Sequence, residues 1–311
     1  MKRILVISIL LLKTVFAFEA VQPLPTTIKY DRAKAELGKI LFHDPSLSKD
    51  GKVSCATCHD LYTKCGTDQK PVSTGFAGRK GTVNSPTVFN AVFNFRQFWN
   101  GRAADLREQL MGPITNPVEM NTTPEEIEKK LNNSQFYRKK FKEVYNTSRI
   151  TFEQFAEAIV EFEKALITPN SKFDRYLQGL VRLSPEEEEG FKLFKKLGCI
   201  SCHNGVNLGG NSFQKLGIVV PYNWKPTNPD RYQITKREED KNVYKVPTLR
   251  NITCTYPYFH DGSVADLKKT ISLMARYNLG IDITDEEIEK IIAFLETLKG
   301  ELPPILTEER K

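Results

Sequence analysis

The sequence predicts a mostly α-helical protein of two domains with long irregular loops. Hydrophobic residues make up 40% of the 311-residue chain, which is enough for two cores of ordinary size. Apolar residues recur at helical spacing in both halves, whereas residues 43–100 and 204–250 show little periodicity. Irregular stretches of this length inside a compact domain usually wrap around another molecule. We place the domain boundary at Thr168, which gives domains of residues 18–168 and 169–311.

The predicted helices follow one another along the chain after a Pro-rich, extended start at residues 18–30. Apolar periodicity and N-terminal capping patterns, of which Ser184-Pro185-Glu186-Glu187 is the clearest, mark their positions. Gly198 is expected to end the helix that this pattern starts. The predicted helices are Asp31–Phe42, one starting at Thr123-Pro124, Thr151–Ile167, one running from Ser184 to Leu197, Val264–Tyr277, and Glu286–Lys299 with Thr284 as its cap.

The first 17 residues have the pattern of a secretory signal. Lys2 and Arg3 precede the apolar run Ile4–Leu12, and cleavage is predicted near Ala17. The run is short for a membrane span and Lys13 interrupts it, so an uncleaved anchor is the less favoured alternative. We therefore expect an exported, periplasmic protein.

The charge of the chain excludes one class of partner. The net charge is +7, and removal of residues 1–17 leaves +4, because that segment carries three basic residues and no acidic one. Basic residues form no long run and do not alternate with aromatic ones. Nucleic acid is therefore not an expected partner.

Each half carries one Cys-x-x-Cys-His pentapeptide. Two thiols at this spacing can each bond a vinyl group of one haem, and the following histidine then falls under the iron as its proximal ligand. A zinc site of four thiolates is the chemical alternative, but zinc does not require the adjacent histidines. We therefore predict two cytochrome c-like domains, each with a covalent haem c. The residues are Cys55, Cys58 and His59 in the first motif and Cys199, Cys202 and His203 in the second.

The second axial ligands follow by elimination. Of the four methionines, only Met274 lies after the second motif, where small c-type domains place their methionine ligand. The alternative reading of Met274 is a core residue, because methionine is a common gap-filler. Only His43 and His260 remain for the first iron. We expect that this iron keeps one open face, where it can bind peroxide.

A series of further motifs resembles the bacterial diheme cytochrome c peroxidase family, which also contains the MauG-type enzymes. The resemblance covers nearly the whole mature chain. The motifs that carry it are Leu37-Gly38-Lys39-Ile40-Leu41-Phe42, Asn84-Ser85-Pro86-Thr87-Val88-Phe89-Asn90, Gln97-Phe98-Trp99-Asn100-Gly101-Arg102, Asn116-Pro117-Val118-Glu119-Met120, Val246-Pro247-Thr248-Leu249-Arg250-Asn251 and Pro257-Tyr258-Phe259-His260-Asp261-Gly262-Ser263.

The resemblance implies roles for individual residues. The first haem is the low-potential peroxidatic centre, and the second, with Met274, is the high-potential centre that accepts electrons. Trp99 relays electrons between them. Glu119 moves a proton between the peroxide oxygens during O–O cleavage, and Gln109 orients the peroxide. Taken without the resemblance, Trp99 would be interpreted as a buried aromatic residue, and Glu119 and Gln109 would be interpreted as surface residues.

The resemblance also implies partners and a second metal. Asn84, Thr255 and Pro257 match a calcium site between the domains that uses an amide oxygen and backbone carbonyls. His260 matches a histidine beside haem 2 that is not an iron ligand. Hydrogen peroxide is the substrate, a small cytochrome c or copper protein is the electron donor, and a homodimer is expected.

The sequence departs from the family in the loop Val72-Ser73-Thr74-Gly75-Phe76. Many members have a histidine here, which caps haem 1 in the oxidised enzyme until haem 2 is reduced. Phe76 cannot bind iron, so our hypothesis is that haem 1 is open even when both haems are ferric. His43, which stands where the family usually has phenylalanine, could replace this ligand, but a packed or half-exposed histidine is the favoured interpretation.

Two cysteines, Cys65 and Cys254, lie outside the haem motifs. In an exported protein they can form a disulfide, and both lie close to the segments assigned to the domain interface. Two inert, buried thiols are the equal alternative, since spacing alone does not establish proximity.

Three functions compete at this point. The favoured one is a peroxidase that oxidises two reduced cytochromes c per hydrogen peroxide. A MauG-like oxidase acting on a partner protein is disfavoured by Met274, because those enzymes have tyrosine in its place. A non-catalytic diheme electron carrier is disfavoured by Glu119, Gln109 and the missing haem 1 cap.

Overall fold

The computed structural model describes residues 20–222 and 229–307, and within them the chain is mostly α-helical, as predicted. The signal predicted for residues 1–17 lies outside the described residues. The helices are α1 (Arg32–Phe42), α2 (Cys55–Cys58), α3 (Leu106–Gln109), α4 (Met111–Thr115), α5 (Pro124–Asn133), α6 (Gln135–Tyr145), α7 (Phe152–Lys164), α8 (Lys172–Leu177), α9 (Pro185–Lys196), α10 (Tyr232–Thr235), α11 (Leu267–Met274), α12 (Asp285–Glu296) and α13 (Pro304–Thr307). The strands are β1 (Phe213–Lys215) and β2 (Val243–Lys245).

The first core forms around α1 and α7. Asp31 caps α1 by accepting a hydrogen bond from the backbone N–H of Lys34, and Thr151 caps α7 with a full capping box. The apolar faces of the two helices meet, and their aromatic side chains pack edge to face, with the rings of Phe42 and Phe162 at 5.3 Å. The core also contains Ile114, Ile127, Leu131, Phe141, Phe155 and Ile159.

The second core repeats this arrangement around α9 and α12. Ser184 and Thr284 each cap their helix with a capping box, as their sequence patterns predicted. The rings of Phe191 and Phe294 lie 5.0 Å apart across the helix pair. Phe173, Phe194, Ile291, Leu295 and Leu298 complete this core.

Each helix pair crosses at a glycine. A Cβ at Gly38 would lie 2.0 Å from the carbonyl oxygen of Ala158, and one at Gly190 would lie 1.8 Å from that of Lys290. These distances are far inside van der Waals contact, so any larger residue would push the helices apart. The two halves are therefore built on the same helix crossing.

The helix boundaries differ from the predictions at several places. Helix α11 begins at Leu267 rather than at Val264, and α12 ends at Glu296 rather than at Lys299. The segment after Thr123 is two helices, because Ser134 ends α5 and its side chain caps α6. Helix α7 ends at Lys164, before the predicted Ile167. Helix α11 ends at Met274 and continues as a π-helical turn, Ala275–Leu279.

Several contacts join the two cores. Val21, near the start of the described chain, packs in the second core, whereas Ile305 and Leu306 pack in the first. The side chain of Asn90 donates a hydrogen bond to the Thr168 hydroxyl and accepts one from its backbone N–H. The domain boundary at Thr168 stays a prediction. The described residues contain no helix that is both long and apolar enough to cross a membrane.

A disulfide links Cys65, in the first half, to Cys254, in the second. It settles the choice between a bridge and two free thiols that the sequence left open. The side chain of Gln69 donates a hydrogen bond to the Cys254 carbonyl beside it, 3.1 Å away. The bridge therefore belongs to a larger contact between the two halves.

Candidate functional site

The first motif forms the short helix α2, and Ser54 stands at its N-cap. The thiols of Cys55 and Cys58 are not bonded to each other, so both are available for thioether links. The Nδ1 atom of His59 lies 3.0 Å from the carbonyl oxygen of Gly66. This hydrogen bond leaves Nε2 as the ligating atom, and it is the kind of contact that orients metal-bound histidines. Burial lowers the pKa of His59, which favours the neutral, ligating form.

The second motif repeats this geometry after a left-handed Gly198. Cys199 and Cys202 are likewise unbonded, and Nδ1 of His203 lies 3.3 Å from the carbonyl oxygen of Leu208. Burial lowers the pKa of His203 to about 4. Both motifs thus present two thiols and one neutral imidazole, which is the donor set that haem c requires.

A large cleft opens in front of the second motif. Its empty volume is about 1710 Å³, including open solvent at its mouth. Its lining is mostly apolar and includes Phe194, Leu197, Leu249, Ile271, Ile291, Leu295, Met274 and the three residues of the second motif. The volume and the apolar lining of the cleft suit a porphyrin, and the thiols of Cys199 and Cys202 face the space it would fill. Met274 and His203 line the same cleft, as a pair of axial ligands would require.

Trp99 lies in the wall of this cleft, where residues from the first half meet the second motif. Its indole Nε1–H donates a hydrogen bond of 2.9 Å to the carbonyl oxygen of Asn84. Its ring packs edge to face against His260, with the ring centroids 6.4 Å apart. His260 is buried and also stacks on Tyr244, with the ring centroids at 4.1 Å. The indole is therefore held rigidly at the cleft.

Glu119 lies beside the first motif. Burial raises the pKa of the free Cys58 thiol to about 11, and the charge of Glu119 adds to the rise, so the carboxylate is close to this thiol. Burial likewise raises the pKa of Glu119. Two neighbours oppose that shift: Asn116 donates a hydrogen bond of 2.6 Å to Oε1, and the Arg102 guanidinium attracts the charge. A half-buried carboxyl with a raised pKa is suited to taking up and releasing a proton.

Asn116 and Arg102 are the site residues to which sequence reasoning gave no role. Both lie inside motifs that the resemblance identified, and Asn116 stands three residues before Glu119, at the reach of a turn. The Arg102 guanidinium lies 3.3 Å from the centroid of the Phe98 ring, which holds it in place. Gln109 is half-buried at the end of α3, and its side chain forms no hydrogen bond within the described part of the chain. Among the described residues, no hydrogen bond joins the side chains of Gln109 and Glu119.

The residues predicted for calcium belong to one cleft. Asn84, Thr255 and Pro257 all line the cleft in front of the second motif. The Nδ2 atom of Asn84 donates to the Lys70 carbonyl at 2.9 Å, which leaves its Oδ1 atom for another partner. No cluster of three or more His, Cys, Asp or Glu side chains that could hold a metal occurs in residues 20–222 and 229–307. Any cation here would depend on amide and carbonyl oxygens, which calcium accepts.

The loop that contains Phe76 packs against the Glu119 loop. The backbone N–H of Phe76 donates to the Glu119 carbonyl at 2.8 Å, and the guanidinium of Arg79 lies 5.5 Å from the centroid of the Phe76 ring. His43 lies elsewhere, at the end of α1, with Nδ1 2.8 Å from the Lys39 carbonyl and its ring 5.5 Å from that of Phe42. His43 is therefore packed and half-buried, which agrees with the sequence-based interpretation of a packed or half-exposed histidine.

Comparisons with known proteins agree on one family. A family model described as di-haem cytochrome c peroxidase matches residues 32–182, and one described as cytochrome c matches residues 187–299. The chain is 46% identical to the cytochrome c551 peroxidase of Nitrosomonas europaea, over 92% of this chain and 86% of that one. It is 43% identical to the cytochrome c peroxidase Ccp of Escherichia coli, over 94% of this chain but only 63% of that longer protein.

The solved structures extend the likeness to the fold. The crystal structure of a MauG-like protein associated with microbial copper homeostasis superposes with a TM-score of 0.80. It is 28% identical to this chain, and the match covers 90% of this chain and 93% of that one. Methylamine utilization protein MauG of Methylophilus methylotrophus is also 28% identical, and thus more distant than the two peroxidases.

Proposed function

Because the chain belongs to the bacterial di-haem cytochrome c peroxidase family, we propose that it uses its two haems c to reduce hydrogen peroxide with electrons from a cytochrome c. The reaction consumes two electrons and two protons per peroxide and releases two waters. The observation that carries the proposal is the asymmetry of the two motifs. The second shares its cleft with Met274, whereas the first lies beside the half-buried carboxyl of Glu119.

We assign the ligands from this asymmetry. Cys55, Cys58 and His59 would hold haem 1, and Cys199, Cys202 and His203 would hold haem 2 with Met274 as its second axial ligand. When bound, the haems would supply the iron for peroxide reduction at the first centre and for electron storage at the second. A methionine ligand raises the reduction potential of a haem, which suits haem 2 to accept electrons from the donor.

Proton movement is the work of Glu119. As a carboxylate it takes a proton from the bound peroxide, and as an acid it returns that proton to the departing oxygen. Asn116 and Arg102 hold the carboxylate in place by the hydrogen bond and the charge described above. We assign the orientation of the peroxide to the amide of Gln109, which has no protein partner within the described residues.

Electron movement between the centres is assigned to Trp99. It lies in the wall of the haem 2 cleft, on a segment from the half of the chain that carries haem 1. The hydrogen bond to Asn84 and the packing against His260 fix its indole. A fixed, polarisable ring between two redox centres is suited to relaying electrons. The donor itself is either a cytochrome c or a small copper protein.

Four further assignments complete the proposal. Calcium binds at Asn84, Thr255 and Pro257 and joins the two domains there. The protein is exported to the periplasm after cleavage near Ala17, which is where covalent haem attachment takes place. It acts as a homodimer. Haem 1 is open even in the all-ferric state, because Phe76 replaces the histidine that caps it in many relatives.

The experiment is a comparison of two glutamate variants. E119Q keeps the size of the side chain but removes its proton-accepting carboxylate, so peroxide-dependent oxidation of reduced cytochrome c should slow by about 10²- to 10⁴-fold. E189Q changes an exposed glutamate on α9 and should retain the wild-type rate. Equal rates in the two variants would remove Glu119 from the mechanism.

A further inference from the structure

A buried lysine lies in the wall of the haem 2 cleft. Lys245 is the last residue of β2, pairs with Phe213 of β1 across the small sheet, and is only 7% exposed. Its backbone N–H donates a hydrogen bond of 2.7 Å to the carbonyl oxygen of Trp99. Both residues line the cleft that contains the second Cys-x-x-Cys-His motif. The backbone of Lys245 is therefore fixed next to the residue assigned to inter-haem electron transfer.

The charge of Lys245 has no protein counterion within residues 20–222 and 229–307. No acceptor in this part of the chain lies within hydrogen-bonding distance of its Nζ atom, and no carboxylate offsets the effect of burial. Burial lowers the pKa of Lys245 to about 8. The Nζ atom is not among the fully buried polar atoms, so its remaining access is to the cleft. An ammonium group with little access to water and no acceptor is costly, so such groups are normally paired.

Another buried cation in the same half shows the usual solution. Arg250 is 1% exposed, and its guanidinium lies 2.9 Å from a carboxylate oxygen of Asp174. The same guanidinium donates further hydrogen bonds to the carbonyl oxygens of Val206 and Gln22. The fold thus provides protein partners for this buried cation, which does not line the cleft. Lys245 differs in that it stands at the cleft.

We propose that the ammonium of Lys245 forms an ion pair with a propionate carboxylate of haem 2. The propionates are the anionic groups that a haem c brings to its site, and they would be the counterion that the protein lacks. The inference rests on the presence of haem 2 in the proposed function. It assigns to Lys245 a role in binding the cofactor on the side where Trp99 lies.

The ion pair has a consequence for the reduction potential. A positive charge close to the haem favours the reduced state, because reduction adds a negative charge to the centre. A low-dielectric site strengthens this effect. Lys245 would therefore help Met274 to keep haem 2 at the higher potential of the two haems.

The test uses redox titrations of the complete diheme protein, followed by absorption. K245M removes the charge and keeps the length of the side chain, and K245R keeps the charge. K241M is the surface control, since Lys241 is exposed and pairs with Glu238. We expect the midpoint potential of haem 2 to shift downward in K245M and to stay at the wild-type value in K245R and K241M. Haem 1 should titrate unchanged in all three.

A second measurement guards against a variant that does not fold. Redox-induced infrared difference spectra report the carboxylate stretch of the propionates, which should shift in K245M and in the polar, neutral K245Q but not in K245R. Loss of diheme protein in both neutral variants, with K245R intact, would also support the proposal. An unchanged haem 2 potential and propionate band in a correctly folded K245M would overturn it, as would failure of K245R to assemble.

These outcomes are distinct from failure of the proposed function. The redox titration does not depend on peroxide turnover, so the shift in the haem 2 potential can be measured even in a protein that does not reduce peroxide. Conversely, a fully active K245M with an altered haem 2 potential would leave the peroxidase function standing.

Discussion

The proton affinity of Glu119 is set by burial and by two neighbours. Burial beside the first motif raises its pKa, whereas the amide of Asn116 and the guanidinium of Arg102 stabilise the ionised form and oppose the rise. The net shift is upward from its ordinary value of 4.5. Because these opposing effects act on its pKa, the carboxyl can be ionised when peroxide arrives and can still hold a proton for the leaving oxygen.

The first prediction concerns the pH profile of peroxide turnover. The carboxylate must accept a proton, so kcat/KM for peroxide should fall as the pH is lowered through the pKa of Glu119. N116A removes the hydrogen bond that stabilises the carboxylate and so raises the pKa of Glu119. In this variant, the fall in kcat/KM at acidic pH should move to higher pH. The rates are measured with reduced cytochrome c at constant ionic strength. A limb that stays in place or moves to lower pH in N116A would contradict this assignment.

Among individual residues, the sequence predicted those whose spacing in the chain defines a binding motif. The Cys-x-x-Cys-His pentapeptides predicted two haem sites, and the structure places unbonded thiols and oriented imidazoles in both. Glu163 and Lys245 were not found, because a single charged residue in a sequence carries no sign of its burial. Only the packed structure reveals that both are less than a tenth exposed.

At the scale of the helices, α7 carries a buried acid on the face that packs into the first core. Glu163 is 7% exposed, and its Oε2 atom has no hydrogen-bond partner among the described residues. Burial raises its pKa to about 8. The same carboxyl contributes, after burial itself, to the raised pKa of the Cys55 thiol, so it lies near the haem 1 motif. Ionisation of Glu163 is therefore unfavourable in the folded protein.

The second prediction follows from linkage between protonation and folding. The folded protein holds the Glu163 proton up to about pH 8, whereas the unfolded chain releases it near pH 4.5. The free energy of unfolding should therefore fall as the pH rises between these values and should level off above about pH 8. E163Q cannot ionise, so it should remove this contribution and stabilise the protein at pH 8 by an amount on the order of a few kcal/mol.

Denaturant titrations of E163Q and wild type at low and high pH measure this effect. The exposed E189Q serves as the matched control and should behave like wild type. A variant E163Q that is no more stable than wild type at pH 8 would show that Glu163 is satisfied in the holoprotein, for example by the haem itself.

The third prediction concerns the loop with Phe76, which is bonded to the backbone of Glu119. Phenylalanine cannot bind iron, so the all-ferric protein should show a high-spin signal from one haem in EPR and absorption spectra. It should also turn over peroxide without prior reduction. F76H is expected to weaken the high-spin signal, and F76L should retain it. Two purely low-spin haems in the wild-type protein would defeat the hypothesis.

Element boundaries were predicted less well than the elements themselves. The caps at Ser184 and Thr284 were found because a hydroxyl followed by an acid has a local meaning. The break at Ser134 was missed, because apolar periodicity continues through it and only the side-chain bonds of Ser134 divide the helices. The close crossings at Gly38 and Gly190 depend on the partner helices, which no local pattern describes.

On the scale of the whole molecule, two similar helix crossings are held together by contacts between distant parts of the chain. The Cys65–Cys254 disulfide joins residues separated by 189 positions. Cys65 precedes Gly66, whose carbonyl accepts the hydrogen bond from His59. Cys254 precedes Thr255, which lines the haem 2 cleft. The bridge therefore connects the surroundings of one haem site to those of the other.

The fourth prediction is that this bridge stabilises the fold. Closing a loop of this length lowers the entropy of the unfolded chain, so the double variant C65S/C254S should lose up to about 5 kcal/mol of unfolding free energy. Chemical denaturation without reductant measures the difference from wild type, and haem content is checked by absorption. Equal stability of the two proteins would show that other contacts between the halves carry the fold.

The fold class followed from periodicity and from the irregular stretches, but the arrangement of the halves did not. The sequence left the pairing of Cys65 and Cys254 open, and it gave no sign that Val21 packs in the second core while Leu306 packs in the first. Such contacts join residues far apart in the chain, and a single sequence carries no record of them.

The most direct test of the account is the stoichiometry of the reaction catalysed by the diheme protein. Limiting amounts of hydrogen peroxide are added to excess reduced cytochrome c, and the oxidised cytochrome is counted from its absorption. We predict that two equivalents of cytochrome c are oxidised per peroxide, and none when peroxide is omitted. No peroxide-dependent oxidation by a protein that carries both haems would contradict it.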